Sequence, residues 1–129
     1  MNNMIDVKIY GLVYTKRIKV LHSIEGRVRI KLPDLDKIPE KYKIHEEDVI
    51  KAVKMLNGIK DVSINYVIGT CIINYDSNLI TADKILRWIK KIIKVNIDNI
   101  KLYEQYGEEN PKQVINIVEE QLRLEIKNI

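Results

Sequence analysis

The sequence predicts an α+β domain, a two-layer sandwich of order βαββαβ with one further amphipathic helix at its end. Stretches 17–33 and 61–76 alternate apolar and polar residues at the period of a half-buried strand. Stretches 44–58 and 81–93 place apolar residues at helical spacing, and an Asn-Pro pair at 110–111 opens the last helix. With 129 residues, of which 46% are apolar and 31% charged, the chain has the size and mixture of one globular domain.

In RIKVLHSIEGRVRIKLP, residues 17–33, Val28, Ile30 and Leu32 face one way and Arg27, Arg29 and Lys31 the other. Gly26 inside this pattern reads as a bulge or bend, and Pro33 ends the strand. After a polar loop around Pro39, the first helix begins near residues 44–46. Glu46, Glu47 and Asp48 suit its positive N-terminus, Val49, Val53 and Leu56 form its apolar stripe, and Asn57 and Gly58 cap its end. DVSINYVIGTCIINYD, residues 61–76, reads as a hairpin turning at Ile68 and Gly69, with Cys71, Ile73 and Tyr75 on one face and Ile72 and Asn74 on the other. Thr81 caps a second helix whose stripe is Ile85, Ile89 and Ile92, widened by Leu86 and Ile93. Residues 95–103, VNIDNIKLY, alternate with one slip and are expected to form the fourth strand. Asn110 and Pro111 start the last helix, with Val114, Ile115, Val118, Leu122 and Ile126 as its stripe. The expected division is an N-terminal extension over 1–16 that adds an edge strand, a core domain over 17–103 and a terminal helix over 104–129. Two helices covering one face of an antiparallel sheet in this order make a ferredoxin-like sandwich.

The bulk properties exclude several classes of function. No run of about 18 apolar residues is present, and MNNMIDVKIY lacks the basic-then-apolar order of a secretory signal, so a cytoplasmic protein without membrane insertion is expected. A single cysteine, Cys71, permits neither an internal disulfide nor a Cys-x-x-Cys pair. The chain has no P-loop, no Ser/His/Asp pattern, and no glycine-rich cradle after EGRVRIKLP to organise a phosphate around its arginines, so catalysis is not expected. The net charge of +4 is unevenly spread. Residues 1–31 carry Lys8, Lys16, Arg17, Lys19, Arg27, Arg29 and Lys31 against Asp6 and Glu25. Beyond residue 102 the balance reverses, with Glu104, Glu108, Glu109, Glu119, Glu120 and Glu125 against Lys112, Arg123 and Lys127.

Residues 56–89, LNGIKDVSINYVIGTCIINYDSNLITADKILRWI, resemble the second half of a heavy-metal-associated domain. Gly58, Ile59, Val62, Tyr75, Asp76 and Thr81 follow that family's helix end, Gly-Val-x-x-Val turn, hairpin, Tyr-Asp pair and Thr-led helix in order. Upstream, HSIEGRVRIKLP resembles the first strand of the family's divergent branch, which lacks the Cys-x-x-Cys loop. The resemblance implies a ferredoxin-like module that accompanies P-type metal-transporting ATPases or systems handling intracellular iron. Ordinary members clamp Cu(I) or Zn(II) between two thiolates in the loop after the first strand. Here that loop is DLDKIPEKYKIHEED, which has no cysteine.

The candidate site residues divide into three groups. His45, Glu46, Glu47 and Asp48 offer nitrogen and oxygen donors of the kind a harder ion such as Fe(II) accepts, although three acidic residues also suit any helix N-terminus. Arg27, Arg29 and Lys31, with His22 beside them, form the sharpest surface feature and are expected to meet an acidic protein partner, the alternative being a nucleic acid. Against nucleic acid stands the absence of any Phe, with Tyr66 the one residue placed to stack on a base. Val114, Val118, Leu122 and Ile126 are expected to bury themselves against the open sheet face or in a homodimer interface. Cys71 is expected in the core, and no cofactor is expected.

Overall fold

A computed structural model describes residues 13–37 and 46–129 of the chain. The expected α+β class is present, with a four-stranded antiparallel sheet backed by helices. The strand order differs from expectation. Strands β1 (Lys19–Ile24) and β2 (Arg27–Lys31) form a hairpin, so the stretch read as one strand is two. Gly26 is its turn and not a bulge. It sits at φ +81°, where an L side chain is strained, and an added Cβ would approach the Tyr75 carbonyl oxygen at 3.3 Å. The real irregularity falls between Val20 and His22, making Leu21 the extra residue of a bulge.

The second hairpin forms where expected, from β3 (Ile59–Asn65) and β4 (Thr70–Tyr75). Its loop closes because the Asn65 side-chain oxygen accepts from the amides of Val67 and Ile68, at 3.0 and 3.2 Å. The sheet order is β1-β2-β4-β3, with β2 paired to the central β4.

Helix α1 (Glu46–Val53) connects β2 to β3, and helix α2 (Ala82–Asp98) follows β4. The Thr81 side chain caps α2 by accepting from the Lys84 amide at 3.1 Å. The expected fourth strand is not formed, because α2 continues through Asp98 and, after a break at Asn99, α3 covers Ile100–Tyr106. The physical reason lies in the period. Ile85, Trp88, Ile89, Ile92 and Val95 continue one helical stripe into the core, whereas alternation across 95–103 required a slip. The sheet edge that a C-terminal strand would have filled, beside β2, is occupied by β1. The order is therefore ββαββα, as though one edge strand had moved from the end of the domain to its beginning.

Trp88 holds the two layers together. It is fully buried, and its indole N–H donates to the carbonyls of Ala52 and Val53, each at 3.2 Å, which satisfies two acceptors at the end of α1. It shares one buried core with Val28 and Ile30 of β2, Ile73 of β4, and Ile85 of α2.

The last helix, α4 (Pro111–Glu125), begins at the Asn110-Pro111 pair as expected. It does not lie on the open sheet face. It lies against the chain's own helices, where Val118 and Leu122 join the core. Ion pairs Lys51–Glu119 and Lys91–Glu125, both at 3.5 Å, flank the contact. Asn99 and Gln121 exchange side-chain amide hydrogen bonds at 2.8 and 3.2 Å across it. A buried polar group retains its stability only when paired, and this reciprocal pair fixes how α4 sits on the break between α2 and α3.

At the N-terminal side, residues 13–17 are helical and not strand. The Tyr14 hydroxyl donates to the Pro33 carbonyl at 2.9 Å, and Arg17 donates to Asp34 at 3.3 Å, tying this segment to the turn after β2. The rest of the expected edge strand in 1–16 lies outside the described residues.

Candidate interaction surface

Strand pairing assigns each side chain to a face. Residues directly opposite one another in an antiparallel pair share a side of the sheet. Val28, Ile30, Cys71 and Ile73 point to the helices and are buried. Their neighbours Arg27, Arg29 and Lys31 point to the open side, opposite Asn74, Ile72 and Thr70 of β4. On the other flank of β2, His22 lies opposite Arg29, Lys19 opposite Lys31, and Ile24 opposite Arg27. The four sequence-derived residues His22, Arg27, Arg29 and Lys31 thus share one face, joined by Lys19.

Arg27 and Arg29 are exposed, and among the described residues no carboxylate lies within ion-pair distance of either. Lys31 differs from them. Its ammonium donates to the Ile68 carbonyl at 2.6 Å, so it is partly engaged in bracing the loop of the second hairpin. The charge is graded across the sheet, basic over β1 and β2 and near neutral over β4 and β3, where Asn74, Asn65, Ser63 and Asp61 share the face.

The remaining candidates do not join this surface. His45 lies outside the described residues. Glu46, Glu47 and Asp48 occupy the first turn of α1, and Asp48 lies close enough to Tyr103 to influence it. Burial, and secondarily the Asp48 charge, pushes the Tyr103 hydroxyl up to about 12, and that hydroxyl donates to the Asn96 side chain at 2.7 Å. Among the described residues no group of three or more His, Cys, Asp or Glu side chains is arranged to hold a metal ion. Cys71 sits between Ile30 and Ile64 on the helix side, and burial pushes its thiol up to about 11. Of the terminal-helix stripe, Val114, Val118 and Leu122 are buried within the chain and Ile126 packs partly against the core. The side of α4 that remains open carries Ile117 and Leu124 instead.

One functional feature was not read from the sequence. All six residues of β1 are exposed, including Val20, Leu21 and Ile24 at 42%, 45% and 51%. The available signal was the two-residue Glu25-Gly26 spacer between alternating runs, which marks a hairpin and hence a strand at the sheet edge.

These features describe a small α+β module with a basic sheet face and no thiolate pair. The family model for heavy metal associated domain 2 matches residues 6–128, and the chain belongs to that family. The role that accompanies membership is metal-associated. No curated protein and no solved structure matches the chain. No helix among the described residues is long and apolar enough to cross a membrane.

Proposed function

We propose that this chain is a non-catalytic accessory or regulatory module of metal homeostasis, which acts by docking onto a protein partner and not by passing a soft ion between thiolates. The observation that carries this reading is the position of Cys71. It is the only cysteine in the sequence, and it lies inside the sandwich with its thiol held protonated. A thiolate is the form that ligates Cu(I) or Zn(II), and two are needed to clamp it. A metal-associated module without that clamp contributes through its surface, and the basic row at Arg27 and Arg29, two exposed side chains on one sheet face, is the part that suits an acidic partner.

The family resemblance and the basic charge support the choice of partner class in this proposal. That class is an acidic cytoplasmic surface on a P-type metal-transporting ATPase or on another component of the same system, with iron as the metal handled. Two experiments test this. Metal analysis of the purified protein is expected to find well under one equivalent of copper or zinc. Immobilised protein is expected to retain the cytosolic portion of a P-type ATPase encoded in the same genome, with retention weakened by salt and by Arg27→Ala combined with Arg29→Ala. Retention of nucleic acid with a steep salt dependence, and of no ATPase portion, would replace the reading by the nucleic-acid alternative.

A further inference from the structure

We propose that the edge of β1 left unpaired among the described residues accepts an additional strand from a partner whose residues alternate acidic and apolar, extending the sheet. The inference rests on the docking reading above and names the chemistry of the docked segment. Strand β1 pairs with β2 on one side, and among the described residues no strand pairs with its other side. An edge presents unpaired N–H and C=O groups that another strand completes, and proteins usually blunt such edges with proline, charge or cover. Here β1 has the bulge after Val20 and the charge of Lys19, but no proline, and it exposes three large apolar side chains.

The two sides of β1 ask for different chemistry. On the open face, Lys19, His22 and Ile24 stand beside the row formed by Arg27, Arg29 and Lys31. On the helix side Val20 lies opposite the buried Ile30, with Leu21 bulged out next to it, yet both remain more than two-fifths exposed. Side chains of a strand alternate between faces, so an incoming strand lays every second residue over each. Carboxylates complement the basic row, and apolar residues complete the ledge at Val20 and Leu21. A second copy of β1 fits poorly. Antiparallel self-pairing would place two Lys19 side chains and two arginine rows on one continuous sheet face, and like charges across a sheet are destabilising. Charge complementarity therefore selects a partner of opposite sign.

The probe is a fluorescein-labelled peptide of about ten residues alternating Glu and Val, followed by fluorescence polarisation with the full chain. Saturable binding is expected at about 50 mM salt, weakening about tenfold or more by about 300 mM. Changing Glu to Lys in the peptide should abolish binding, and Arg27→Ala with Arg29→Ala in the protein should weaken it at least about fivefold while circular dichroism stays unchanged. A strand offers its amides to a given neighbour only at alternate residues, so N-methylation of one alternate set should abolish binding and methylation of the other should leave it within about threefold. Backbone amide shifts in the protein should centre on residues 19–24. Equal binding of both methylated peptides, shifts centred on the helices, no binding, or a dimer with protected β1 amides would each overturn the proposal. If the peptide fails while the ATPase portion is still retained, the edge inference falls alone. If the peptide binds and no ATPase portion is retained, the partner reading falls alone.

Discussion

The two hairpins of this sheet are built alike and end differently. Each joins alternating strands through a turn containing a glycine at positive φ, Gly26 at +81° and Gly69 at +69°. Yet β4 lies in the middle of the sheet with Cys71, Ile73 and Tyr75 buried, whereas β1 lies at the edge with every residue exposed. The local pattern makes the strand, and its neighbours decide whether the strand supplies stability or remains available for contact. Stability is therefore expected to concentrate in β2, β4 and the helices around Trp88, leaving β1 an exposed strand at the edge of the described sheet.

Substitutions can break this contrast. The largest effect is expected for Trp88→Ala, which removes a fully buried ring and leaves the Ala52 and Val53 carbonyls without its N–H. A loss of about 3–5 kcal/mol is expected in urea unfolding. Leu122→Ala should follow at about 2–5 kcal/mol, because Leu122 is buried by the chain itself. A chain ending at Tyr106 should be a much less stable monomer. A stable truncated chain, or a full-length dimer that becomes monomeric on truncation, would return α4 to the role of an interface helix.

The thiol of Cys71 provides a smaller effect with a definite sign. Burial raises its pKa from 9.0 to about 11, so between those values the unfolded chain releases a proton that the folded chain keeps. Stability from this group is fully present below about pH 9 and falls as pH rises toward 11, by at most about 1.4 kcal/mol per pH unit. Tyr103, raised from 10.0 to about 12, adds a similar loss beginning about one unit higher. Cys71→Ala should cost on the order of 1 kcal/mol at neutral pH and flatten the lower part of the alkaline decline. An unchanged pH profile in that variant would place the thiol outside the core.

The smallest effect is expected at the surface. Arg27→Ala combined with Arg29→Ala should change stability by no more than about 0.5 kcal/mol, since both side chains are exposed and no carboxylate among the described residues pairs with them. Unfolding of this variant would show the two arginines to be structural and the assignment of faces wrong.

Much of this arrangement was legible in local signals. The β3–β4 hairpin, the Thr81 cap and the Asn110-Pro111 start all rest on chemistry confined to a few residues, as does the outward direction of Arg27 and Arg29. What was misread depended on distant choices. Residues 95–103 carry enough Val and Ile to suit a strand, and only the continuing stripe from Ile85 to Val95 decides for helix. Gly26 suits a bulge or a turn equally, and the choice depends on whether the preceding strand folds back beside β2. Nothing within the sequence of α4 states which apolar surface receives its stripe. The exposed edge at Val20 and Leu21 was hidden for the same reason, because it exists only once β1 takes the place assigned to a C-terminal strand.

The most direct test of the central claim, a metal-associated module without a thiolate clamp, is an anaerobic Cu(I) titration of the full chain against a chromophoric chelator. The chelator is expected to keep the copper, and Cys71→Ala to leave the curve unchanged. One tightly bound equivalent in the native chain, lost in Cys71→Ala, would contradict it.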